Sequence, residues 1–570
     1  MNNPAKVLVI GDDTRSFLAC VRSLGRQGLE VHVAPQALNL PALASRYIHQ
    51  VHLLPYYLDG GAEWLTAMRA LLACERYDLV LPCEERSLLP LYRHRDEFPP
   101  STRLAIPDPA ALAAFFDKCQ TRALAQQCDV PVAPAHLWQP GDGPTEIERM
   151  LPYPMVAKHR HSYSWPDLYL RTQVAMLSNR HDLEAWLTRH CPKAAEVYFE
   201  AVFPGKGLGV SVLCAEGDVL QAFEHHRAHE LSGSSYYRKS MPLDAGRLAA
   251  VHRMVAAIGY TGLAMFEFKL DERSGDWILL EVNARPWGSL PLPLAWGVDF
   301  PYRLYRLLCR GERTAAVNYP SPRFNRNLIA DLWQMKAGLG HLRARPLAAA
   351  AYASRWLGGF ARILLNRERH DAWVWDDPRP GAVEAIGFLR ERWHGLRRSA
   401  RLPLQPAWSA GLTTKGDQAR PHLLFLCQGN ICRSSYAEHK ARQLFAERGI
   451  DASVESAGML PRNRRPAPPH AQEASAARGI DLSRHCSQHA HRDVIERASW
   501  ILVFDEINHR ACLQRYPEAA DRLIYLAQFE GTPAPTPITD PEGQSSTVFS
   551  TTYDRIDRCL SGLAEQLRPC

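Results

Sequence analysis

The chain has 570 residues, 46% of them apolar and 22% charged, with a formal net charge of +7. This length predicts three or four domains, and the composition is typical of a soluble globular protein. No uncharged apolar run reaches the roughly 18 residues of a membrane-spanning helix, and residues 7–11 end too soon for a signal peptide. The 14 cysteines lack metal-ligand spacing. We therefore expect a reducing, cytoplasmic location. We also expect no nucleic-acid partner.

Residues 1–115 begin with short apolar segments that alternate with helix-like stretches. The segments at 6–10, 31–34 and 77–82 are rich in Val, Ile and Leu. Such alternation predicts a parallel α/β layer, here a Rossmann-like domain. A single glycine, Gly11, follows the first segment, and a dinucleotide fingerprint needs three, so we predict no dinucleotide site.

A second centre, in residues 116–330, carries acidic side chains on two predicted strands. Because side chains repeat every two residues along a strand, Glu281 and Asn283 point the same way. A neighbouring strand brings Glu267 to the same place, and three oxygen ligands of this kind suit magnesium carrying nucleotide phosphates. Arg285, just beyond, is placed to hold a phosphate oxygen. The alternative for the Glu-x-Asn pattern is an ordinary edge-strand surface.

This part of the chain resembles the ATP-grasp superfamily, specifically its predicted carboxylate ligases, over about residues 1–320. The segments that carry the resemblance are 204–205, 207–210, 281–289 (Glu-Val-Asn-Ala-Arg-Pro-Trp-Gly-Ser) and 297–301. The resemblance implies a Rossmann-like pre-ATP-grasp domain at 1–115, followed by an ATP-grasp domain of α+β type at 116–330.

The same resemblance implies a set of ligase residues. ATP would lie between two lobes, with Lys118 and Lys158 on its phosphates and Glu200 at the hinge. The cofactor would be Mg²⁺, or Mn²⁺ in its place. A small carboxylate substrate would attack the γ-phosphate, and an amine or other nucleophile would capture the acyl phosphate. Arg227 and Glu230 fall in the loop that handles the carboxylate substrate in relatives.

The chain departs from these relatives at two places. The substrate loop reads Arg-Ala-His-Glu where relatives resemble Arg-Leu-Arg-Glu, so His229 replaces one cation by a titratable imidazole. The hinge carries Glu200 and Ala201 where relatives carry a Gln-Glu pair. Contacts to adenine at this hinge are therefore less well defined than contacts to the phosphates.

Residues 331–419 are predicted to form a helical extension and a linker. Residues 348–365 and 382–396 have helical patterns, and 399–420 contains the Pro and Gly spacing of an exposed linker. The stretch 341–401 has 12 Arg against 6 Asp plus Glu. This excess indicates either a solvated helix face or peripheral contact with an anionic surface, and both alternatives stay open.

The most informative stretch is Cys427-Gln428-Gly429-Asn430-Ile431-Cys432-Arg433-Ser434. An apolar run precedes it and a helix-period stretch follows, so we predict strand, tight loop and helix. Successive backbone N–H groups of such a loop point at one small anion, and the helix N-terminus strengthens the attraction. This environment favours a thiolate, so the pKa of Cys427 is expected below its usual value. Arg433 offers a planar fork to two phosphate oxygens.

Residues 420–570 resemble the low-molecular-weight protein tyrosine phosphatases. The loop above and four further segments, at 456–458, 479–483, 505–508 and 540–541, carry the resemblance. It implies a flavodoxin-like parallel sheet and hydrolysis through a phosphocysteine on Cys427. Asp540 would act first as general acid and then as general base. Ser434 would donate its hydroxyl to the sulfur as it leaves.

Three further residues support the predicted phosphate loop. Asn430 tolerates a left-handed backbone and, with Ser456, is expected to keep the loop cupped. Cys432 has two alternatives: in relatives a second loop cysteine forms a reversible disulfide with the nucleophile, and simple packing fits equally well. Glu542 follows Asp540-Pro541 where phosphotyrosine-specific relatives often have an aromatic residue, and Arg462, Arg464 and Arg465 make the pocket rim basic.

The sequence therefore predicts an α/β protein with a bifunctional role. Cysteine-dependent hydrolysis of a phosphotyrosine protein or another phosphoester would reside in the C-terminal domain, and ATP-dependent carboxylate ligation in the N-terminal half. The alternative is a phosphatase whose ATP-grasp module binds nucleotide without turnover. Arsenate reduction on the same scaffold is disfavoured, because the next cysteines, Cys486 and Cys512, are too far apart for a relay pair.

Overall fold

The computed structural model describes residues 5–38, 40–58, 60–163, 165–166, 168, 172, 174–190, 196–231, 234–342, 345–396, 420–532 and 535–567. The chain divides into two compact units. The first runs from the N-terminus to Phe388, apart from residues 37–39, and the second comprises those three residues and the chain from Leu389 onward. The predicted linker at 399–420 lies outside the described residues except for its last position.

The first unit opens with a five-stranded parallel sheet in the order β3-β2-β1-β4-β5. Its strands are β1 (Lys6–Ile10), β2 (Glu30–Ala34), β3 (Gln50–Val51), β4 (Leu79–Pro82) and β5 (Arg103–Leu104). Its helices are α1 (Ser16–Arg26), α2 (Ala62–Cys74), α3 (Glu85–Arg93), α4 (Pro109–Phe116) and α5 (Lys118–Gln127). Apart from Lys6, strands β1 and β4 are apolar and buried, and they lie at the centre of this sheet.

Two antiparallel layers follow in the same unit. The smaller sheet has the order β6-β9-β7-β8 and consists of β6 (Ala135–Leu137), β7 (Met155–His159), β8 (Ala175–Leu177) and β9 (Val197–Ala201). Its helices are α6 (Pro144–Met150) and α7 (Arg180–His190). Leu183 and Phe199 are fully buried where α7 packs on this sheet.

The larger sheet has seven strands in the order β14-β13-β10-β11-β12-β15-β16, antiparallel except for its last pair. Its strands are β10 (Lys206–Ala215), β11 (Asp218–Leu231), β12 (Ser234–Met241), β13 (Gly262–Leu270), β14 (Trp277–Asn283), β15 (Phe324–Arg326) and β16 (Glu368–His370). The helices of this region are α8 (Ala245–Ala257), α9 (Pro291–Ala295), α10 (Phe300–Arg310), α11 (Leu328–His341), α12 (Pro346–Gly359), α13 (Ala361–Leu364) and α14 (Arg379–Leu396).

Local chemistry explains where several helices begin and end. Asp117 accepts the backbone N–H of Cys119 and so caps α5, and Asp299 caps α10 in the same way. Helix α10 ends at Gly311, which adopts the left-handed backbone that glycine accepts without strain. Helices α12 to α14 fall on the two segments for which the sequence predicts helix.

The second unit contains a four-stranded parallel sheet in the order β18-β17-β19-β20. Its strands are β17 (His422–Cys427), β18 (Ser453–Gly458), β19 (Trp500–Val503) and β20 (Leu523–Tyr525). Its helices are α15 (Arg433–Arg448), α16 (Pro469–Ala476), α17 (Arg492–Arg497), α18 (Glu506–Arg515) and α19 (Ser546–Gln566). Strand β17 lies between β18 and β19, so its carboxyl end is the switch point where α/β sheets bind ligands.

These layers confirm the predicted α/β fold class, with a parallel sheet first, α+β layers next and a second parallel sheet at the C-terminus. The strand, tight loop and helix expected around Cys427 are also confirmed, since β17 ends at that residue and α15 begins at Arg433. The bounds of the four predicted domains stay predictions.

Candidate functional site

The C-terminal site is built on the loop between β17 and α15. Cys427 is the last residue of its strand and is buried. The backbone N–H of Asn430 donates to its sulfur at 3.2 Å, and Ser434 Oγ lies 3.0 Å from the same Sγ. The sulfur therefore faces an amide hydrogen and a hydroxyl, both of which stabilise negative charge.

Asn430 holds the curvature of this loop. Its φ of 52° is left-handed, as the sequence predicts for this residue type. Its side-chain amide donates to Ser434 Oγ at 3.0 Å and to Ser456 Oγ at 2.7 Å, and its Oδ1 accepts the backbone N–H of Gln488. A Cβ on Gly458 would come within 2.9 Å of the Gln428 carbonyl, so only glycine lets β18 approach the loop this closely.

Arg433 is 1% exposed and connects the loop to two acidic residues. Its Nη1 donates to Asp505 at 2.5 Å and to the carbonyl of Ile538 at 2.9 Å, and its Nη2 donates to Asp540 at 2.6 Å. Its Nε has no hydrogen-bond partner among the described residues. A buried guanidinium nitrogen without an acceptor is costly, and a phosphate oxygen would satisfy it.

Cys432 lies next to Arg433 and is also buried. Burial raises the pKa of its thiol well above the ordinary value, and its backbone carbonyl accepts the hydroxyl of Tyr553 at 3.2 Å. Both of its predicted roles, reversible disulfide and packing, stay open.

The rim of this site is basic and carries one acidic partner. Arg465 reaches the phosphate loop, because a methyl group on Gly429 would meet its Nη1 at 3.5 Å. The same side chain donates to Glu542, two residues beyond Asp540, at 3.4 Å. The sequence indicates a basic rim, and the structure identifies Arg465 as the arginine that lies over Gly429.

The N-terminal unit contains a cavity of about 400 Å³. Its polar lining comes from both the parallel sheet and the large antiparallel sheet, and it includes Asp13, Arg15, Ser16, Glu84, Glu85, Tyr163, His225, Arg227, Arg238, Glu267, Glu281, Asn283, Arg285 and Ser289. Five of the sequence-predicted ligase residues therefore share one cavity.

Strand pairing brings the predicted metal ligands together. Glu267 on β13 lies directly opposite Glu281 on β14, and a β-bulge follows Glu267. Asn283 Nδ2 donates to Glu281 Oε1 at 3.3 Å, so these side chains share a face. Arg227 pairs directly with Glu267, and Arg285 donates to Asn283 at 2.9 Å and to Glu85 at 3.2 Å.

Several buried nitrogen atoms of this lining have no hydrogen-bond partner within the described ranges. They are His225 Nδ1, Arg238 Nε, Arg285 Nε and Trp287 Nε1. Guanidinium and indole nitrogens only donate, so the cavity fits an anionic ligand such as a phosphate or carboxylate. The carboxylates and the amide oxygen beside them fit the oxygen-ligand preference of Mg²⁺.

The other predicted ATP contacts lie outside this lining. Lys158 pairs with Glu200 at 2.6 Å, and Arg122 pairs with the other oxygen of that carboxylate at 2.8 Å. Lys118 Nζ donates to the carbonyl of His159 and to Ser162, both at 3.2 Å. These residues belong to the smaller antiparallel sheet and the segments beside it. Glu230 lies in β11, and its side chain is outside the described part of the chain.

Sequence reasoning missed the contribution of the N-terminal sheet to this cavity. Asp13 follows β1, and Glu84 with Glu85 follows β4, the two strands that flank the switch point of the sheet. Burial raises the pKa of Glu84 to about 7. The signal was present as acidic residues directly after the two apolar strands.

The strand order of the second unit and the loop after β17 define a flavodoxin-like phosphatase domain. The family model described as low molecular weight phosphotyrosine protein phosphatase matches residues 422–569. The chain is 28% identical over 146 residues to the protein-arginine-phosphatase of Bacillus subtilis (strain 168), covering 26% of this chain and 96% of that protein. It is also 32% identical over 146 residues to the probable low molecular weight protein-tyrosine-phosphatase EpsP of Ralstonia nicotianae. This match covers 26% of this chain and 95% of that protein.

Through this segment the chain belongs to the low molecular weight phosphotyrosine protein phosphatase family. Over a different part, it is similar to the solved N5-carboxyaminoimidazole synthetase of Staphylococcus aureus, with 16% identity, a TM-score of 0.46 and coverage of 60% of this chain and 87% of that one. Every helix in the described ranges is too short or too polar to cross a membrane.

Proposed function

We propose that the chain is a bifunctional enzyme, a cysteine-dependent phosphomonoester hydrolase joined to an ATP-dependent carboxylate ligase. The observation that carries the hydrolase is the buried Nε of Arg433, which has no acceptor among the residues that the structure describes. Arg433 begins α15, at the end of the loop that starts at Cys427. A phosphoryl group bound there would supply the missing oxygen and lie next to the nucleophile.

The hydrolase reaction uses groups already close to one another. The Cys427 thiolate attacks phosphorus, the ester bond breaks, and Asp540 gives its proton to the leaving oxygen. Arg433 and the loop amides hold the equatorial oxygens as charge develops on them. Asp540 then takes a proton from water, which attacks the phosphocysteine, and the Ser434 hydroxyl, 3.0 Å from Sγ, stabilises the departing thiolate.

The rim supports an anionic phosphoester as substrate. Arg465 lies over Gly429 at the phosphate loop and is only loosely held by Glu542, at 3.4 Å. A second negative charge beside the scissile phosphate, such as an acidic residue next to phosphotyrosine, would compete with Glu542 for this guanidinium. The matched relatives are named as a protein-arginine-phosphatase and a probable protein-tyrosine-phosphatase, so peptides phosphorylated on arginine and on tyrosine both belong in the assay.

The test of the hydrolase is substitution of the nucleophile. Cys427→Ser should abolish hydrolysis of p-nitrophenyl phosphate, a phosphotyrosine peptide and a phosphoarginine peptide alike. Cys486→Ser, at an exposed cysteine, is the matched control and should keep the parent rate. Hydrolysis by Cys427→Ser at the parent rate would refute the assignment.

For the ligase half, the supporting observation is one cavity lined both by Glu267, Glu281 and Asn283 and by side chains whose buried donor nitrogens have no acceptor among the described residues, namely Arg238, Arg285 and Trp287. Mg²⁺ bound by these oxygens would offset the charge of the nucleotide phosphates. Arg285 and Arg238 would hold anionic groups of the substrates, and Lys118, Lys158 and Glu200 would bind ATP from the smaller sheet.

The substitution Glu281→Gln distinguishes an active ligase from the alternative, a module that binds nucleotide without turnover. In full-length protein given Mg-ATP and a metabolite pool, ADP release should depend on Glu281, while hydrolysis of p-nitrophenyl phosphate stays unchanged. Cys427→Ser serves as the background that removes phosphatase activity. If ATP binds with no ADP release from any mixture, the N-terminal half is the nucleotide-binding module of the alternative, and the ligase proposal is wrong.

A further inference from the structure

A cluster of metal-ligating side chains lies behind the phosphate loop. Glu438 and His439 are neighbours on α15, and His485 lies in the segment between α16 and α17. One carboxylate oxygen and one nitrogen from each imidazole lie within 4.8 Å of one another. Glu438 and His485 are buried, and His439 is partly exposed. The hydrolase mechanism uses none of these three side chains.

The hydrogen bonds of the two imidazoles leave a lone pair on each ring. His439 Nδ1 lies 2.9 Å from the carbonyl of Ser435, and His485 Nε2 lies 2.7 Å from the carbonyl of Asn430. A carbonyl only accepts, so these nitrogens carry the hydrogens, and in a neutral ring the other nitrogen is an acceptor. Histidine ligands of protein metals are held in this way, with the remote N–H donated to a backbone carbonyl.

We propose that Glu438, His439 and His485 form a binding site for a divalent transition metal of the zinc class. A cation at the centre of the three ligand atoms lies no more than about 2.8 Å from each. Shifts below about 1 Å therefore bring all three to the 2.0–2.2 Å of zinc coordination. Two imidazoles and one carboxylate are a donor set that zinc favours, and water would complete the four ligands.

The surroundings preorganise the carboxylate. Glu438 accepts the hydroxyl of Ser456 at 2.5 Å and pairs with Arg442 at 2.5 Å, and each oxygen keeps a further lone pair. The side chain of Arg442 is more than half exposed, so it can move from the site without leaving a buried charge.

Two of the three ligands touch the support of the phosphate loop. His485 donates to Asn430, and Glu438 accepts from Ser456, which in turn accepts from the Asn430 amide. A bound metal would fix the orientation of both contacts. It would therefore raise the thermal stability of the phosphatase unit without taking part in phosphoryl transfer.

Isothermal titration of the full-length protein with ZnCl₂ tests the site. Cys427→Ser is the background, because it removes the competing loop thiolate. In this background, His439→Ala should lower the affinity for one bound zinc ion by more than about tenfold. A tenfold loss is what changing a residue that only hydrogen-bonds to a metal ligand typically causes. His470→Ala, at an exposed histidine on α16, is the matched control and should leave every equivalent unchanged. Zinc should raise the Tm of the phosphatase transition in the background and in this control, and much less in His439→Ala.

Identical zinc stoichiometry and affinity with and without His439 would overturn the proposal. It would then follow that the three side chains lie close together without binding a metal. Co²⁺ offers a second readout, since this site should give d–d absorption without a thiolate charge-transfer band. A His439-dependent cobalt spectrum dominated by that charge-transfer band would also contradict the assignment, because the ligands would include cysteine.

Discussion

Arg433 donates through Nη2 to Asp540 Oδ2 at 2.6 Å, so the cation of the phosphate loop directly contacts the carboxylate proposed as general acid. Asp540 is 41% exposed, whereas Arg433 is 1% exposed. The buried residue thus positions the accessible one. Because this contact lies at the loop that begins at Cys427, a proton on Asp540 would be close to the oxygen of a leaving group.

Asp540→Asn should lower kcat for phenyl phosphate by about 10²–10⁴-fold, the usual contribution of a positioned general acid. The loss should be smaller for p-nitrophenyl phosphate, whose leaving group needs little protonation. Steady-state rates with the two esters measure this difference. Glu542→Gln changes a carboxylate two residues away and should keep the parent rate on both esters. Equal losses on the two esters in Asp540→Asn would argue against the acid role.

Asn430 combines a left-handed backbone with an amide that joins Ser434 to Ser456. Asn430→Gly removes the amide and keeps the left-handed backbone without strain, whereas Asn430→Ala removes the amide and adds about 1–2 kcal/mol of backbone strain. This strain exceeds the roughly 0.4–1 kcal/mol that glycine costs by raising the entropy of the unfolded chain. We expect kcat to fall in both variants and the Tm of the phosphatase unit to fall further in the alanine variant. Equal Tm values for the two would contradict the contribution of the backbone.

How much of this site the sequence predicts depends on how far apart its residues lie along the chain. The phosphate loop is eight consecutive residues, so its strand, curvature and helix follow from local chemistry. Glu281 and Asn283 are also local, because strand alternation alone places them together. The position of Arg465 over Gly429 depends instead on how a distant loop packs, and no pattern in the chain encodes it.

In the ligase half, the sequence likewise does not predict which charged side chains pair with each other. Residue types predict that Lys158, Glu200 and Arg227 face ligands, yet the structure pairs Lys158 with Glu200 and Arg227 with Glu267. Such pairs form because buried charges need partners, and the choice of partner is a property of the folded sheet.

The rim proposal predicts opposite effects for two substitutions. Arg465→Gln should lower kcat/KM for a phosphotyrosine peptide with acidic neighbours by about two- to fivefold, the effect of one exposed ion pair. Glu542→Gln should raise it by a similar factor, because the guanidinium loses its competitor. A peptide with neutral neighbours is the control, and both variants should hydrolyse it at the parent rate. Equal losses on the two peptides in Arg465→Gln would assign this residue to loop structure.

Glu84 predicts a pH dependence for the N-terminal unit. Burial raises its pKa to about 7 in the folded state, against about 4.3 when unfolded. Between these two pH values the folded chain binds more protons than the unfolded chain. The free energy of unfolding therefore falls as the pH rises through this window.

Glu84→Gln keeps an acceptor for the N-cap of α3 and removes the titration. It should stabilise the N-terminal unit by at most about 4 kcal/mol at pH 8 and have little effect at pH 4.5. Calorimetry of the full-length protein at both pH values measures the shift of the N-terminal transition, and the phosphatase transition is the internal control. An equal Tm change at both pH values would show that the carboxyl does not titrate in this window.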